Sequence, residues 1–217
     1  MKTLLKHTAA AFCEHGKGVL VCGIMLTLPL FPPGCGGADQ QHSMVAGTAH
    51  IAAILNVLGG GDNSVYTLIP GGMCPGHFDM RPGDMRKVAS ADLLLLQAWQ
   101  REAPNIQRVL KSAKLPEERL RILRTPGNWM LPEPHAAAVR EIRGLLSERR
   151  PDRAAVYRAR EKAYLKKVED TAAEMRALLD GPSVKAACND MQQPFAEWAG
   201  IETVVTFGRM EEASAAE

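Results

Sequence analysis

The chain has 217 residues, 46% of them hydrophobic and 23% charged, the composition of a globular protein of one or two domains with a substantial buried core. Its 26 Lys and Arg nearly balance its 24 Asp and Glu. Basic and acidic residues alternate through the second half, which argues against the basic stripe of a nucleic-acid-binding protein.

The first element to be read lies outside the fold. Lys2, Lys6 and Lys17 precede a thirteen-residue apolar run, Val19 to Phe31, closed by Pro32, Pro33, Gly34 and Cys35. The run is short of the roughly 20 residues a membrane-spanning helix needs. Residues 1–35 therefore read as a signal peptide, and the protein as exported to the periplasm or cell surface. Cys35, followed by the polar GGADQQ, resembles a bacterial lipoprotein processing site, where the cysteine takes the lipid that anchors the mature chain to the membrane. Pro32 and Pro33 stand where such sites carry Leu and a small residue, and cleavage by the ordinary signal peptidase is the alternative. Cys13 and Cys22 fall within the signal, leaving Cys74 and Cys188, whose separation in sequence does not decide whether they pair.

Beyond a short apolar segment at Met44, HIAAILNVLGG places Ile51, Ile54, Leu55 and Leu58 at helical spacing before a glycine stop. SVYTLIPGG is β-branched and aromatic and predicts a strand. The loop MCPGHFDMRPGDM follows, with Pro82, Gly83 and Asp84 starting a helix. ADLLLLQAW fits a strand buried on both faces of a parallel sheet. RILRTPGNWMLPEPH gives a further short strand and a proline-rich loop, and AAAVREIRGLL a packed helix. These βα units predict an α/β fold with ligands at the carboxyl ends of parallel strands.

Pro151 opens a helix expected to run to about Leu179, with Tyr157, Tyr164, Val168, Ala172, Met175 and Leu179 on one face. Its roughly 28 residues would span about 42 Å, a strut between lobes. Gly181 and Pro182 end it, and a strand (VKAACND), a short helix (MQQPFAEWAG) and a strand (IETVVTF) follow. The expected divisions are a leader to residue 35, a first lobe over 36–150, the strut over 151–180 and a partial second lobe over 181–217.

This order of motifs resembles the zinc- and manganese-type metal-binding solute-binding proteins of ABC transporters. LIPGGMCPGHFDMRPGDMRKVASADLLL is similar to that family's Pro-His-x-Phe/Tyr-Glu loop and the strand after it, PGNWMLPEPHAAAV to its Pro-His-x-Trp-Leu-Asp-Pro loop, and CNDMQQPFAEWAGI to the start of its second lobe. The resemblance implies two parallel-sheet lobes joined by one long helix, the second lobe incomplete, with a metal ion held in the cleft and passed to an ABC permease. The departures fall on the ligands. The family's three histidine positions correspond here to Gly76, Gly127 and Asn189, with the acidic neighbour kept as Asp79.

Substitute donors for zinc, manganese, cobalt or nickel are His77, Cys74 and Asp79 on the first loop and His135 after the second. Asn128, Trp129, Asn189 and Asp190 are the expected cleft-lining residues. The plainer roles are a solvated loop histidine for His77 or His135, a small buried residue for Cys74 and core packing for Trp129. A metal chelate or small organic ligand is the alternative cargo, and a shortened remnant that binds nothing is a third possibility. No GxSxG, HExxH, Walker A or GxGxxG pattern is present, and an enzyme is not expected.

Overall fold

A computed structural model describes residues 42–73, 78–181 and 184–208 of the chain. Four strands form one sheet: β1 (His42–Thr48), β2 (Asn63–Ile69), β3 (Leu93–Gln97) and β4 (Leu120–Leu123). Their order is β2-β1-β3-β4 and every pairing is parallel, with Val45 opposite both Tyr66 and Leu94 and Leu95 opposite Arg121. Parallel neighbours require a crossover between them. The helices α1 (Ala49–Gly59), α2 (Pro82–Ser90), α3 (Pro104–Ala113) and α4 (Pro132–Arg149) cover the two faces.

The two-residue period of the strands sorts the core into two layers. Met44, Ala46, Leu93 and Leu95 pack with Ile51, Ile54, Leu55 and Leu58 of α1 and with Val139, Ile142 and Leu146 of α4. Val45, Leu94 and Leu96 point the other way, against Val88 of α2 and Ile106 and Val109 of α3. β3 is thus buried on both faces, as its unbroken apolar run requires. The start of α2 is fixed by Asp84, whose carboxylate accepts from the Arg81 backbone N–H and the Tyr66 hydroxyl.

α3 is not among the elements expected from the sequence, although PNIQRVLKSA carries a proline in its first turn and Ile106 and Val109 at helical spacing. Pro151, expected to open the long helix, does not. Pro151–Arg153 instead form a 3₁₀ turn, closed by the Arg153 N–H on the Arg150 carbonyl, and the helix proper, α5, is Ala154–Leu179. It is unbroken over its 26 residues, about 39 Å. Of the expected apolar face, Tyr157 and Ala172 are buried, while Leu179 is exposed.

The first part of α5 is clamped to the first lobe. Tyr157 is buried in the α1/α4 layer, Arg153 bonds to Asp62, and Arg143 of α4 reaches Glu161 at 2.7 Å. Arg160 donates to the carbonyls of Leu58 (2.9 Å) and Gly59 (2.7 Å), placing a cation on the negative end of α1. Beyond α5, β5 (Lys185–Asn189) and β6 (Glu202–Phe207) pair in parallel around α6 (Gln193–Trp198). This second lobe is small, and Val204, Val205 and Phe207 of its sheet are about half exposed. Among the described residues no helix is long and apolar enough to cross a membrane.

Candidate ligand site between the lobes

In the order β2-β1-β3-β4 the chain leaves β1 toward one side of the sheet and β3 toward the other, and the crevice outside such a switch is where open α/β sheets take ligands. The gap between β1 and β3 is filled by the protein itself. Gln100, fully buried just beyond β3, donates its amide to the Gly47 carbonyl at 3.0 Å and accepts from the Gln97 N–H at 3.0 Å. A Cβ at Gly47 would lie 2.4 Å from the Gln100 Oε1, so the plug depends on glycine there. Open space lies further out, around the N-termini of α1 and α4.

His135 sits in the first turn of α4, and its Nε2 lies 2.9 Å from the Tyr164 hydroxyl of α5. Burial holds this imidazole below the usual histidine range, the nearby His50 adds to that, and a hydrogen bond to the Trp129 backbone opposes it. Burial likewise raises the Tyr164 phenol. A neutral imidazole donating to the Trp129 backbone accepts at Nε2 from Tyr164. A metal ion at that nitrogen must therefore displace the phenol.

Trp129 lies between the core and the open space. It is 5% exposed and belongs to the α1/α4 core layer, its Nε1 donates to the Thr125 carbonyl, and its ring also forms a wall of the open space. Asn128 and Asn189 converge on Met191. The Asn128 amide donates to the Met191 carbonyl at 2.9 Å and its oxygen accepts from the Met130 N–H, while the Asn189 oxygen accepts from the Met191 N–H at 3.0 Å. The Asn128 bond joins the loops of the two lobes, whereas Asn189, whose amide also donates to the Gly208 carbonyl, braces the second lobe from within. Asp190 is exposed, with its backbone N–H on the Phe207 carbonyl.

Asp79 is exposed on the first loop. Cys74 and His77, and Cys35 before them, lie outside the described residues. Among those described, no three His, Cys, Asp or Glu side chains gather as a metal site. Gly127, the counterpart of a ligating position in the resemblance, has φ +86°, and a Cβ there would lie 3.3 Å from Pro134. The loop conformation itself disfavours a side chain at this position.

A cavity of about 360 Å³ opens between α1, α4, α5 and α6. Besides Trp129, His135 and Tyr164 it is lined by His50, Phe195 and Trp198. The last three were not singled out from the sequence. His50 comes two residues after the end of β1, in the first turn of α1, which was a usable signal, and Phe195 and Trp198 are three apart on one face of α6.

The profile of the family described as zinc-uptake complex component A, periplasmic (ZnuA), matches residues 44–217. No curated protein sequence matches the chain. Among solved structures, a crystal structure of ZnuA is 18% identical with a TM-score of 0.68, covering 81% of this chain and 74% of that one. A manganese-bound mutant of a periplasmic metal-binding protein from Candidatus Liberibacter asiaticus is 15% identical with a TM-score of 0.66, covering 81% and 72%. The metal-dependent lipoprotein YcdH from Bacillus subtilis is 18% identical with a TM-score of 0.60, covering 80% and 71%. At these identities the structural likeness is one of fold, the two-lobed α/β arrangement with its connecting helix, here with a shorter second lobe. The match over residues 44–217 makes this chain a member of the periplasmic zinc-uptake component A family.

Proposed function

We propose that the protein is the extracytoplasmic solute-binding component of an ABC importer, which captures a transition-metal ion and delivers it to a permease. The family match over residues 44–217 carries this reading, because the family's members are periplasmic components of uptake complexes and not enzymes. The proposed donors are His77, Cys74 and Asp79 on the loop after β2, with His135 as an outlying fourth. Sulfur and imidazole donors suit zinc, cobalt or nickel better than manganese, which favours oxygen. His77→Ala is expected to lower zinc, cobalt or nickel affinity at least tenfold, and His135→Ala less, because its Nε2 is already engaged by Tyr164. Imidazole and thiol ligate in their deprotonated forms, so affinity falls as the solution is acidified. Calorimetry on the metal-stripped protein measures both. If the wild type binds none of these ions more tightly than about 100 µM, roughly 5.5 kcal/mol, a metal chelate or organic cargo replaces the free ion. The cavity, whose described lining holds no carboxylate, favours that second reading.

In this proposal residues 1–35 hold the leader and its processing cysteine, the mature chain beginning at Cys35, with lobe, strut and second lobe over 36–150, 151–180 and 181–217. A lipid on the Cys35 sulfur would hold the protein at the membrane beside its permease. Mass spectrometry of the membrane-extracted protein is expected to find no unmodified Cys35 N-terminus. A soluble form cleaved at another residue would remove the anchor while leaving export intact.

A further inference from the structure

The cavity between the helices has a chemistry of its own. At about 360 Å³ it falls at the small end of ligand-binding pockets. Its walls come from three parts of the fold: Trp129 from the first lobe, Tyr164 from α5, and Phe195 and Trp198 from α6. The Phe195 and Trp198 rings stack with centroids 5.6 Å apart and planes 29° from parallel. The Arg176 guanidinium lies 4.8 Å from the Trp198 ring centroid, which steadies that wall and adds positive charge near it. Flat aromatic surfaces of this kind favour a planar guest in offset or edge-to-face contact.

The polar groups select further. Among the described residues lining the cavity there is no carboxylate, and the formally charged one is Lys167, with His50 and the His135–Tyr164 pair as the other titratable groups. A bare divalent cation entering here gives up its hydration without meeting an anionic oxygen, a large net cost. An anion meets an ammonium and an imidazole. The Tyr164 oxygen, while donating its proton to His135, keeps lone pairs that can accept from a hydroxyl on the guest.

We propose that this cavity binds a small aromatic anion, its ring held among Trp129, Phe195 and Trp198 and its carboxylate turned toward Lys167 and His50. The proposal rests on reading the chain as a solute-binding protein, and it names an organic ligand class distinct from the metal ion assigned to the first loop. Because the walls belong to both lobes, the guest bridges them.

The test is calorimetry on the full mature chain with salicylate as the aromatic anion, benzylamine as a cation of similar size, and zinc in separate titrations. Salicylate is expected to bind at one site with Kd below about 100 µM, and benzylamine at least tenfold more weakly. Ala172 is buried and lines the cavity. Ala172→Phe fills the space and is expected to weaken salicylate at least tenfold and zinc far less, because His135 is the outlying donor among the proposed zinc ligands. Lys167→Gln, on an exposed helix position that keeps the fold, is expected to weaken salicylate about fivefold and to narrow its advantage over benzylamine. Zinc binding without salicylate binding overturns this inference and leaves the metal cargo standing. Salicylate binding without zinc binding supports the inference and removes the free metal ion. Absence of both overturns both. Salicylate binding that neither substitution weakens lies elsewhere on the protein and overturns the proposal.

Discussion

Val168→Pro is expected to destabilise the protein by about 3 kcal/mol or more, the cost of proline inside a helix. Val168 lies well inside α5, where its N–H bonds to the carbonyl of Tyr164 four residues earlier. The proline ring removes that donor and collides with that carbonyl. The damage then reaches the cavity, because Tyr164 is the residue whose hydroxyl holds His135. Urea unfolding followed by circular dichroism reads the shift in midpoint, and Val168→Ala separates loss of the half-buried side chain from loss of the helix. A proline variant within about 1 kcal/mol of the Val168→Ala protein would show that α5 does not act as one rigid strut.

Trp129→Ala is expected to cost about 3–5 kcal/mol, the range for removing a buried large aromatic residue. Trp129 is in contact with the core layer that contains Ala138, Val139 and Ile142, and its loss opens the cavity into that layer. The Nε1 hydrogen bond to Thr125 contributes less, so Trp129→Phe should recover most of the stability. Denaturant midpoints for the three proteins test the ranking. Equal losses for the Ala and Phe variants would mean that the hydrogen bond, not the packing, holds the loop.

The parts of the fold that were legible in the sequence are those whose pattern is local. LLLLQ of β3 reads as a doubly buried strand because four apolar residues in succession serve both core layers, and Ile51, Ile54, Leu55 and Leu58 mark α1 because their spacing is that of one helix face. The long helix follows from the absence of glycine and proline over α5, but its first turn does not. Proline at a helix start is a good signal, yet here the Arg150 carbonyl accepts the tighter bond and makes a 3₁₀ turn.

The candidate site was less legible because its chemistry depends on partners far apart in the chain. His135 reads as an available ligand until α4 packs on α5 and brings Tyr164, 29 residues away, onto its Nε2. Asn128 reads as a cleft residue until the lobes meet, when its amide is taken by the carbonyl of Met191, 63 residues on. For Gly127 the family resemblance told only that a ligand was missing, and the positive φ adds that the loop has a shape to which a side chain is ill suited. None of these pairings leaves a mark on local periodicity.

The clamping of α5 near its start has a mechanical consequence. Held by Arg153, Tyr157, Arg160, Glu161 and Tyr164 and carrying the second lobe beyond them, the helix is a cantilever fixed at one end, with the exposed Asn128–Met191 hydrogen bond as a light tether at the other. Beyond Leu165, which still packs on the first lobe's core layer, the arm to Leu179 measures about 21 Å, so a tilt of about 5° carries the tip roughly 2 Å. That displacement is comparable to the thickness of a methyl group. An angular change too small to disturb any hydrogen bond at the root is enough to widen or close the gap between Trp129 of the first lobe and the rings of α6.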